Sequence, residues 1–270
     1  GWIREDQATE FNLIAGLVLA ATIATVILGG ISRISKVVSR LVPLMSLLYV
    51  GAAFYILLLN WSEVPHYLTL IVTDAFTGMA AAGGAIGTVI ATGVRRGAFS
   101  NEAGIGTEAM AHGAARTSEP VRAGLVAMLG PIIDTLIICT ATGLLILMTG
   151  AWQVTDASGV TITSIAFETA LPGFGSFLLI VCIFFFSITT IFSYSYYGSK
   201  CLGFLIGAEK KHYYNYLTII MTVVASMLSL NAMVGLIDGA FALMAIPTMT
   251  STIILAPKVM SAARTYFAKI

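Results

Sequence analysis

The chain has 270 residues and a formal net charge of +1, yet only 10% of its residues are charged and 58% are hydrophobic. A mean hydropathy of +0.93 would force a water-soluble domain to expose much of its core, so that class is excluded and lipid is the expected solvent. The sequence also lacks a basic patch interleaved with aromatic residues, which excludes nucleic-acid binding.

Long apolar runs recur along the chain. Each has about 20 residues, enough for a helix to cross a hydrocarbon layer of roughly 30 Å. A β-barrel would instead show segments of about ten residues with alternating polarity. We therefore predict an all-α integral membrane protein whose seven spans are 11–30, 43–60, 71–94, 123–149, 175–197, 214–232 and 235–256.

The basic residues are distributed unevenly between the two faces that seven crossings create. Arg4 falls on one face, and all other lysines and arginines, from Arg33 to Lys269, fall on the other. Cytoplasmic loops carry an excess of Lys and Arg. The sequence therefore predicts that the start of the chain is outside the cell and that the carboxyl end is cytoplasmic.

The predicted span 71–94 has a centre of small residues, in which Gly83 and Gly84 are adjacent. A glycine inside a helix costs about 1 kcal/mol relative to alanine. The pattern therefore favours a helix broken at the bilayer midplane, where free backbone groups bind an ion and a substrate. Close helix–helix packing is the alternative, because small residues let backbones approach each other in lipid.

The predicted span 175–197 contains a hydroxyl-rich segment, SITTIFSYSYYG at 187–198. Positions 187, 190, 194 and 197 share one helical face. The hydroxyls either bond the carbonyl one turn back or, opposite a broken helix, form an oxygen cage for a hard monovalent cation. The residues alone leave both alternatives open and equally permit sodium, lithium or protons.

One segment, GVRRGAFSNEAGIGTEAMAHGAA at 93–115, resembles the signature of the alanine or glycine:cation symporters, bacterial carriers that couple amino-acid uptake to sodium. Further similarities occur in the family's order and cover essentially the whole chain. They are VPLMSLLY at 42–49, DTLIICTATGLLIL at 134–147, FSITTIFSYSYYGSK at 186–200 and MAIPT at 244–248. The signature positions are Arg96, Gly97, Phe99, Ser100, Asn101, Glu102, Ala103 and Gly104.

The resemblance implies a leucine-transporter-like fold, in which two inverted five-helix repeats surround first and sixth helices that unwind midway. The seven predicted spans would then be core helices four to ten of a single transmembrane domain, 1–270. The chain begins with Gly1 instead of methionine and has no signal-peptide layout. We therefore expect a fragment that lacks the amino-terminal helices and does not transport by itself.

The resemblance also implies a function. We expect sodium-coupled symport of alanine or glycine across the bacterial plasma membrane by alternating access, with no cofactor besides the coupling sodium. Proton-coupled transport, or exchange of another small amino acid, is the alternative. No histidine lies in a predicted span, so no constellation of the kind that an intramembrane enzyme needs is present, and we predict no enzymatic activity.

A zwitterionic substrate needs partners for its carboxylate and its ammonium in a site of low dielectric. We expect the backbone of the broken sixth helix and the facing eighth helix to supply the substrate site, with residues Thr77, Gly78, Gly83, Gly84, Thr190 and Tyr194. The family often has tryptophan at the position of Tyr194. Thr189 and Thr190 resemble the paired hydroxyls of the family's sodium site.

Two acidic residues, Asp134 and Asp238, lie nearest the middle of predicted spans. Such residues are functional candidates by default, and for both the structural and the functional interpretation stay open.

In the signature segment, Ser100 followed by Asn101 and Glu102 resembles a helix N-cap with an acidic first turn. That pattern predicts a helix that begins at Ser100.

Overall fold

The computed structural model describes residues 8–76, 93, 94, 96–102, 104–154 and 159–269, and these residues contain helices but no strand. The helices are α1 (Ala8–Ile27), α2 (Gly30–Leu59), α3 (Val64–Phe76), α4 (Thr107–His112), α5 (Pro120–Ala127), α6 (Thr140–Met148), α7 (Val160–Ala170), α8 (Gly175–Ile206), α9 (Tyr213–Ser226) and α10 (Leu230–Phe267). Between α5 and α6 lie a single helical turn, Leu129–Pro131, and a π-helix, Ile132–Cys139, called here the π segment.

Five helical stretches in the described residues are long and apolar enough to cross a membrane. They are Thr9–Ile27, Gly30–Leu59, Pro120–Met148, Gly175–Ile206 and Ala232–Phe267. Each overlaps one of the seven predicted spans, although the bounds differ. Of the predicted span 71–94, residues 77–92 lie outside the described residues.

The predicted span 214–232 is not confirmed. Helix α9 has 14 residues, which corresponds to about 21 Å at 1.5 Å per residue and is shorter than the hydrocarbon layer. The chain turns after Ser226, and Ser229 starts α10, because its side chain accepts a hydrogen bond from the Ala232 amide at 3.4 Å. The apolar run in the sequence therefore belongs to two helices.

Helix α2 is longer than the predicted span 43–60, because it begins at Gly30. Three basic residues that the sequence placed in a loop, Arg33, Lys36 and Arg40, therefore lie on the first turns of a helix. The arginine nearest the start of α2 also has a structural contact, since Arg33 Nη1 donates to the Thr25 carbonyl of α1 at 2.7 Å.

The chain divides into two compact units. The first comprises Gly1–Val42, Gly104–Arg116 and Phe186–Ile270, and the second comprises Pro43–Ala103 and Thr117–Phe185. The boundaries between the units fall within α2, within the signature segment and within α8.

In the first unit, α1 and α9 pack together in opposite directions. Gly16 of α1 faces Ser226 of α9, because a Cβ at Gly16 would overlap the Ser226 hydroxyl. At the other end of the pair, the Asn215 amide donates to the Ile27 carbonyl at 3.3 Å. Both pairs of residue numbers add to 242, so the two helices keep one antiparallel register along the contact.

The core of the first unit is built from branched and aromatic side chains of α1, α2 and α8. Ile219 of α9 packs against this cluster, and its number and that of Ile23 also add to 242. The buried members are Ile23, Ile27, Ile34, Ile188 and Phe192.

In the second unit, Tyr49 of α2 connects to α6 and α7. Its hydroxyl lies 2.6 Å from the Thr142 hydroxyl, and Thr142 already donates to the Ile138 carbonyl at 2.8 Å. A hydroxyl has one proton, so Tyr49 is the donor. The Tyr49 ring also contacts Phe167, with the ring centroids 5.5 Å apart.

Glu168 of α7 caps the start of α8. Its two carboxylate oxygens accept hydrogen bonds from the Gly173 amide at 2.7 Å and from the Ser176 amide at 2.9 Å. The bond from Ser176, followed by that from Gly173, lowers the pKa of Glu168 below its ordinary value of 4.5. A carboxylate is favourable here because the amides at a helix amino terminus carry a positive potential.

Candidate functional site

Helix α8 presents the two threonine hydroxyls of the predicted sodium site next to each other. Thr189 Oγ1 donates to the Phe186 carbonyl at 3.0 Å, and Thr190 Oγ1 donates to the same carbonyl at 2.8 Å. The local bonding that the sequence left as one alternative is therefore present. It uses each hydroxyl proton, and oxygen is the ligand atom that hard cations prefer.

The two faces of α8 differ in burial. Ile188, Thr189, Phe192 and Ser195 are buried, whereas Thr190 on the predicted hydroxyl face is exposed. Thr189 is only 4% exposed. One hydroxyl of the pair is therefore in the core of the first unit and the other, on Thr190, is on the exposed face of α8.

Tyr194 lies one turn after Thr190 and forms an aromatic contact with α10. Its ring centroid is 6.2 Å from that of Phe241 and 5.5 Å from that of Tyr197. The three rings form an aromatic cluster between α8 and α10 in the first unit.

The other predicted substrate residues lie outside the described residues. These are Thr77, Gly78, Gly83 and Gly84. The broken helix and its contacts with a substrate therefore stay predictions. Ala103 of the signature also lies outside the described residues.

In the second unit, the signature segment is bonded to the π segment. Ser100 Oγ donates to Asp134 Oδ2 at 2.5 Å, and Asn101 Nδ2 donates to Thr135 Oγ1 at 3.0 Å. The Ser100 hydroxyl also lies 3.7 Å from the Cys139 sulfur. An acidic side chain within the candidate span Pro120–Met148 thus has a hydroxyl partner from the signature.

The π segment begins directly after Pro131. Proline lacks an amide hydrogen and crowds the preceding turn, and a π-helix widens the turn where regular α-bonding is disturbed. Backbone hydrogen bonds in a π-helix span five residues. The Thr140 hydroxyl donates to the Thr135 carbonyl, also five residues earlier, at 3.5 Å. The wider turns place Asp134 and Thr135 on the side of the helix that meets the signature segment.

The prediction that Ser100 begins a helix was wrong. Residues 96–100 are helical and Ser100 is the last of them. The next helix, α4, begins at Thr107 after Gly106, with no side-chain cap. The reason is the competing partner, because the Ser100 hydroxyl that would cap a helix bonds Asp134 instead.

The last part of the signature packs against α10 in the first unit. Gly104 and Gly106 have φ values of +84° and +91°, a region that favours glycine. A Cβ at Gly106 would lie 2.8 Å from the Thr248 hydroxyl, and one at Gly104 would lie 2.5 Å from the Met249 methyl carbon. The glycines thus let the signature approach α10 at the end of the MAIPT motif, Thr248, and at the next residue, Met249.

The sequence was also compared with models of protein families. A profile of the sodium:alanine symporter family matches residues 3–270. The chain belongs to the sodium:alanine symporter family.

Three members of the sodium:alanine symporter family illustrate the similarity. Sodium/alanine symporter AgcS of Methanococcus maripaludis is 35% identical over 98% of this chain and 59% of its own length. Probable sodium/glutamine symporter GlnT of Bacillus subtilis is 35% identical over 94% of this chain and 54% of its own length. Putative sodium/proton-dependent alanine carrier protein YrbD of the same organism is 37% identical over 73% of this chain and 44% of its own length. The chain therefore spans about half the length of these relatives.

Two features of this family member were missed by the sequence analysis. The partner of Asp134 could not be inferred, because Ser100 lies 34 positions away and its hydroxyl was assigned to a cap. The contact of Gly106 with Thr248 had a detectable signal, since two glycines separated by one residue before a helix are typical of positive φ values.

Proposed function

We propose that the protein is a sodium-coupled symporter of a small neutral amino acid, alanine or glycine, and that it works by alternating access in a bacterial cell membrane. The observation that carries this proposal is the pair of hydroxyls at Thr189 and Thr190, which donate to one carbonyl and so present two oxygen atoms from the same turn of α8. Membership in the sodium:alanine symporter family supports the ion and the substrate class.

In this proposal sodium takes oxygen ligands from Thr189 and Thr190. Sodium is a hard cation that favours neutral and charged oxygen donors, as other hard cations do. Thr189 is buried in the core of the first unit, which fixes the position of its oxygen. The same site excludes larger or softer ions only if further ligands complete a close cage.

The amino acid is proposed to bind beside this ion. Thr77, Gly78, Gly83 and Gly84 would provide backbone groups for the charged ends of the substrate, and Thr190 and Tyr194 would line the opposite side. The aromatic contact between Tyr194 and Phe241 supports a wall that suits a methyl or hydrogen side chain. The fold proposed for this site is the leucine-transporter-like one, with the carboxyl end in the cytoplasm.

Proton coupling is the second candidate. Asp134 is a titratable group within a candidate span, and its carboxylate has a hydroxyl partner at 2.5 Å. Binding of a proton would change the number of hydrogen bonds that this carboxylate accepts. The name of the YrbD relative includes protons as well as sodium, and that of GlnT includes glutamine as a substrate.

The test is uptake of radiolabelled alanine into proteoliposomes that contain this chain together with any residues that its gene encodes on either side. We expect accumulation that requires an inward sodium gradient. Uptake driven by a proton gradient without sodium would replace the sodium proposal by the second candidate. Failure to accumulate any small neutral amino acid under either gradient would overturn both.

The site is tested with Thr190→Val, which keeps the shape of the side chain and removes its oxygen. We expect the apparent sodium affinity of uptake to fall by about tenfold or more, since changes around bound metals commonly have effects of this size. The matched control is Thr252→Val in α10, because Thr252 is also exposed and also donates to a carbonyl one turn back, at 2.9 Å. An equal loss of apparent sodium affinity in the two variants would contradict a role of Thr190 in the sodium site.

A further inference from the structure

A cavity of about 230 Å³ opens in the first unit, between the end of α1, the start of α2, α8 and the start of α9. Its two walls differ in chemistry. One is apolar and includes Ile27, Ile31 and Ile34, whereas the other carries Lys200, Lys211 and His212. The cavity is therefore amphipathic and its polar wall is cationic.

The two lysines of this wall have no carboxylate partner among the residues that the structure describes. Neither ammonium group lies within the 4.0 Å limit of an ion pair there. The Lys200 ammonium instead lies 5.4 Å from the centroid of the Tyr196 ring. Two neighbouring ammonium groups without an anion create a positive potential that an anionic ligand would neutralise.

The imidazole ring of His212 lines the same wall. Its Nδ1 lies 2.8 Å from the Glu209 carbonyl, and because a carbonyl only accepts hydrogen bonds, Nδ1 is the donor. With Nδ1 as the donor, Nε2 of the neutral ring carries a lone pair and does not donate to a phosphate oxygen, so the two lysines are the donors of this wall. Helix α9 begins at the next residue, Tyr213, so its amino-terminal dipole adds to the positive potential.

The floor of the cavity is held by hydrogen bonds. The Asn215 amide donates to the Ile27 carbonyl at 3.3 Å, and the Ser199 hydroxyl contacts Asn215 Oδ1 at 2.9 Å. These bonds join α1, α8 and α9. Two carbonyls at the carboxyl end of α1 accept side-chain hydrogen bonds, Ile27 from Asn215 and Thr25 from Arg33. These bonds weaken the negative potential of that helix end, so it repels an anion less.

We propose that this cavity binds a phosphate group, namely the phosphodiester of an anionic phospholipid. Lys200 and Lys211 hold the phosphate, and Leu28 and Ile31, which line the cavity and are exposed, contact the start of the acyl chains. Basic pockets between membrane helices at the membrane surface bind lipid headgroups in this way. The cavity lies where α1 ends, and because α1 contains a candidate membrane span, Thr9–Ile27, its end is where headgroups are expected. Lipid binding here does not depend on which solute is transported.

The test measures thermal unfolding of the detergent-purified protein with dihexanoyl phosphatidylglycerol, dihexanoyl phosphatidylcholine or inorganic phosphate. We expect phosphatidylglycerol to raise the unfolding temperature in a saturable way and phosphatidylcholine to have little effect. A saturable rise with inorganic phosphate, as large as that with the lipid, would keep the phosphate site but assign it to a free anion. Equal shifts with both lipids would overturn the proposal.

The site is identified with the double variant Lys200→Gln/Lys211→Gln. Each lysine near a headgroup contributes enough that losing both should weaken the apparent affinity for phosphatidylglycerol about 30-fold. The control is Lys258→Gln/Lys269→Gln, which removes the same charge from exposed positions of the same unit. Retention of the affinity in the first variant, or an equal loss in the control, would overturn the assignment.

Discussion

The hydroxyl of Ser100 and the carboxylate of Asp134 lie 2.5 Å apart and join the helical residues 96–100 to the π segment across 34 positions of sequence. A hydrogen bond to a charged group commonly contributes about 1.5–3 kcal/mol. The bond also gives an acidic residue in a candidate span the partner that such residues need. It connects the family signature to the one π-helix found in the described residues.

The first prediction concerns this bond. Ser100→Ala and Asp134→Ala should each lower the unfolding free energy, and the double variant should lose less than the sum, with a coupling energy of about 1–2 kcal/mol. Asp134→Asn should retain part of the stability, because its amide oxygen still accepts from Ser100. Chemical unfolding in detergent measures these values.

A matched cycle with Ser251→Ala in place of Ser100→Ala serves as the control. The Ser251 side chain is exposed, and its hydroxyl donates to the nearby Thr248 carbonyl at 2.9 Å. Additive effects of Ser251→Ala and Asp134→Ala are expected. A coupling between Ser100 and Asp134 no larger than this control value would contradict the bond.

The second prediction concerns the packing of α1 on α9. Gly16→Ala should destabilise the protein by about 1–3 kcal/mol, because the added Cβ overlaps Ser226 and overpacking has effects of this size. Combining it with Ser226→Gly should restore part of the loss. Thermal unfolding of the single and double variants measures the effect.

Gly51→Ala provides the comparison for Gly16→Ala. Gly51 is also inside a helix, but a Cβ there would meet no atom within 4 Å. This variant should be neutral or gain up to about 1 kcal/mol, since alanine favours a helix. Equal effects at the two glycines would show that α1 and α9 do not pack as described.

The third prediction concerns Glu168 and pH. Its pKa is lowered in the folded protein by the Ser176 and Gly173 amides. The stabilisation by its carboxylate is therefore complete above the ordinary pKa of 4.5 and is lost as the pH falls through the lower folded pKa. The difference in unfolding temperature between the parent chain and Glu168→Gln should be largest near neutral pH and should shrink below about pH 4.5.

The control for Glu168 is Glu63→Gln, at an exposed position before α3. Its unfolding temperatures provide the reference for replacing a carboxylate by an amide outside the α8 cap. A difference for Glu168→Gln that stays constant down to about pH 3, or that grows on acidification, would contradict a cap formed by the ionised carboxylate.

The fourth prediction concerns the signature glycine Gly106. Gly106→Ala should destabilise the protein by about 1–2 kcal/mol from backbone conformation alone, because its φ of +91° disfavours a side chain. The approach to Thr248 adds a steric part. Adding Thr248→Ala should relieve the steric part and leave the conformational part, as unfolding experiments on both variants would measure.

Gly97→Ala tests whether any signature glycine responds in the same way. Gly97 lies in the helical residues 96–100 and has no positive φ, and a Cβ there would meet no atom of the described residues within 4 Å. The substitution should be close to neutral. A loss at Gly97 equal to that at Gly106 would attribute the effect to the signature segment in general.

The helical class and most of the spans could be predicted because hydrophobic length is a local property of the chain. The end of α9 could not, since the apolar run continues past Ser226 and only the cap at Ser229 separates two helices. The start of α2 was missed for a related reason. Arg33, Lys36 and Arg40 made that stretch too polar for a span, although a helix extends beyond the membrane without difficulty.

Only local features of the candidate site could be predicted from the sequence. Neighbours in sequence, such as Thr189 and Thr190, were placed together correctly because they share one helix. The Ser100–Asp134 bond depends on two distant segments, and a local rule for helix caps assigned Ser100 to the wrong partner. Roles in binding the ion and the substrate stay predictions, since they involve Thr77, Gly78, Gly83 and Gly84 outside the described residues.

The common sum of 242 for facing residues of α1 and α9 limits how these helices can change in length. Deleting one residue between Gly16 and Ile27 would turn one end of α1 by about 100° relative to the other. Gly16 would then leave Ser226 or Ile27 would leave Asn215. Insertions and deletions in homologous chains should therefore be absent from both helices and should occur instead in connections such as Gly207–His212.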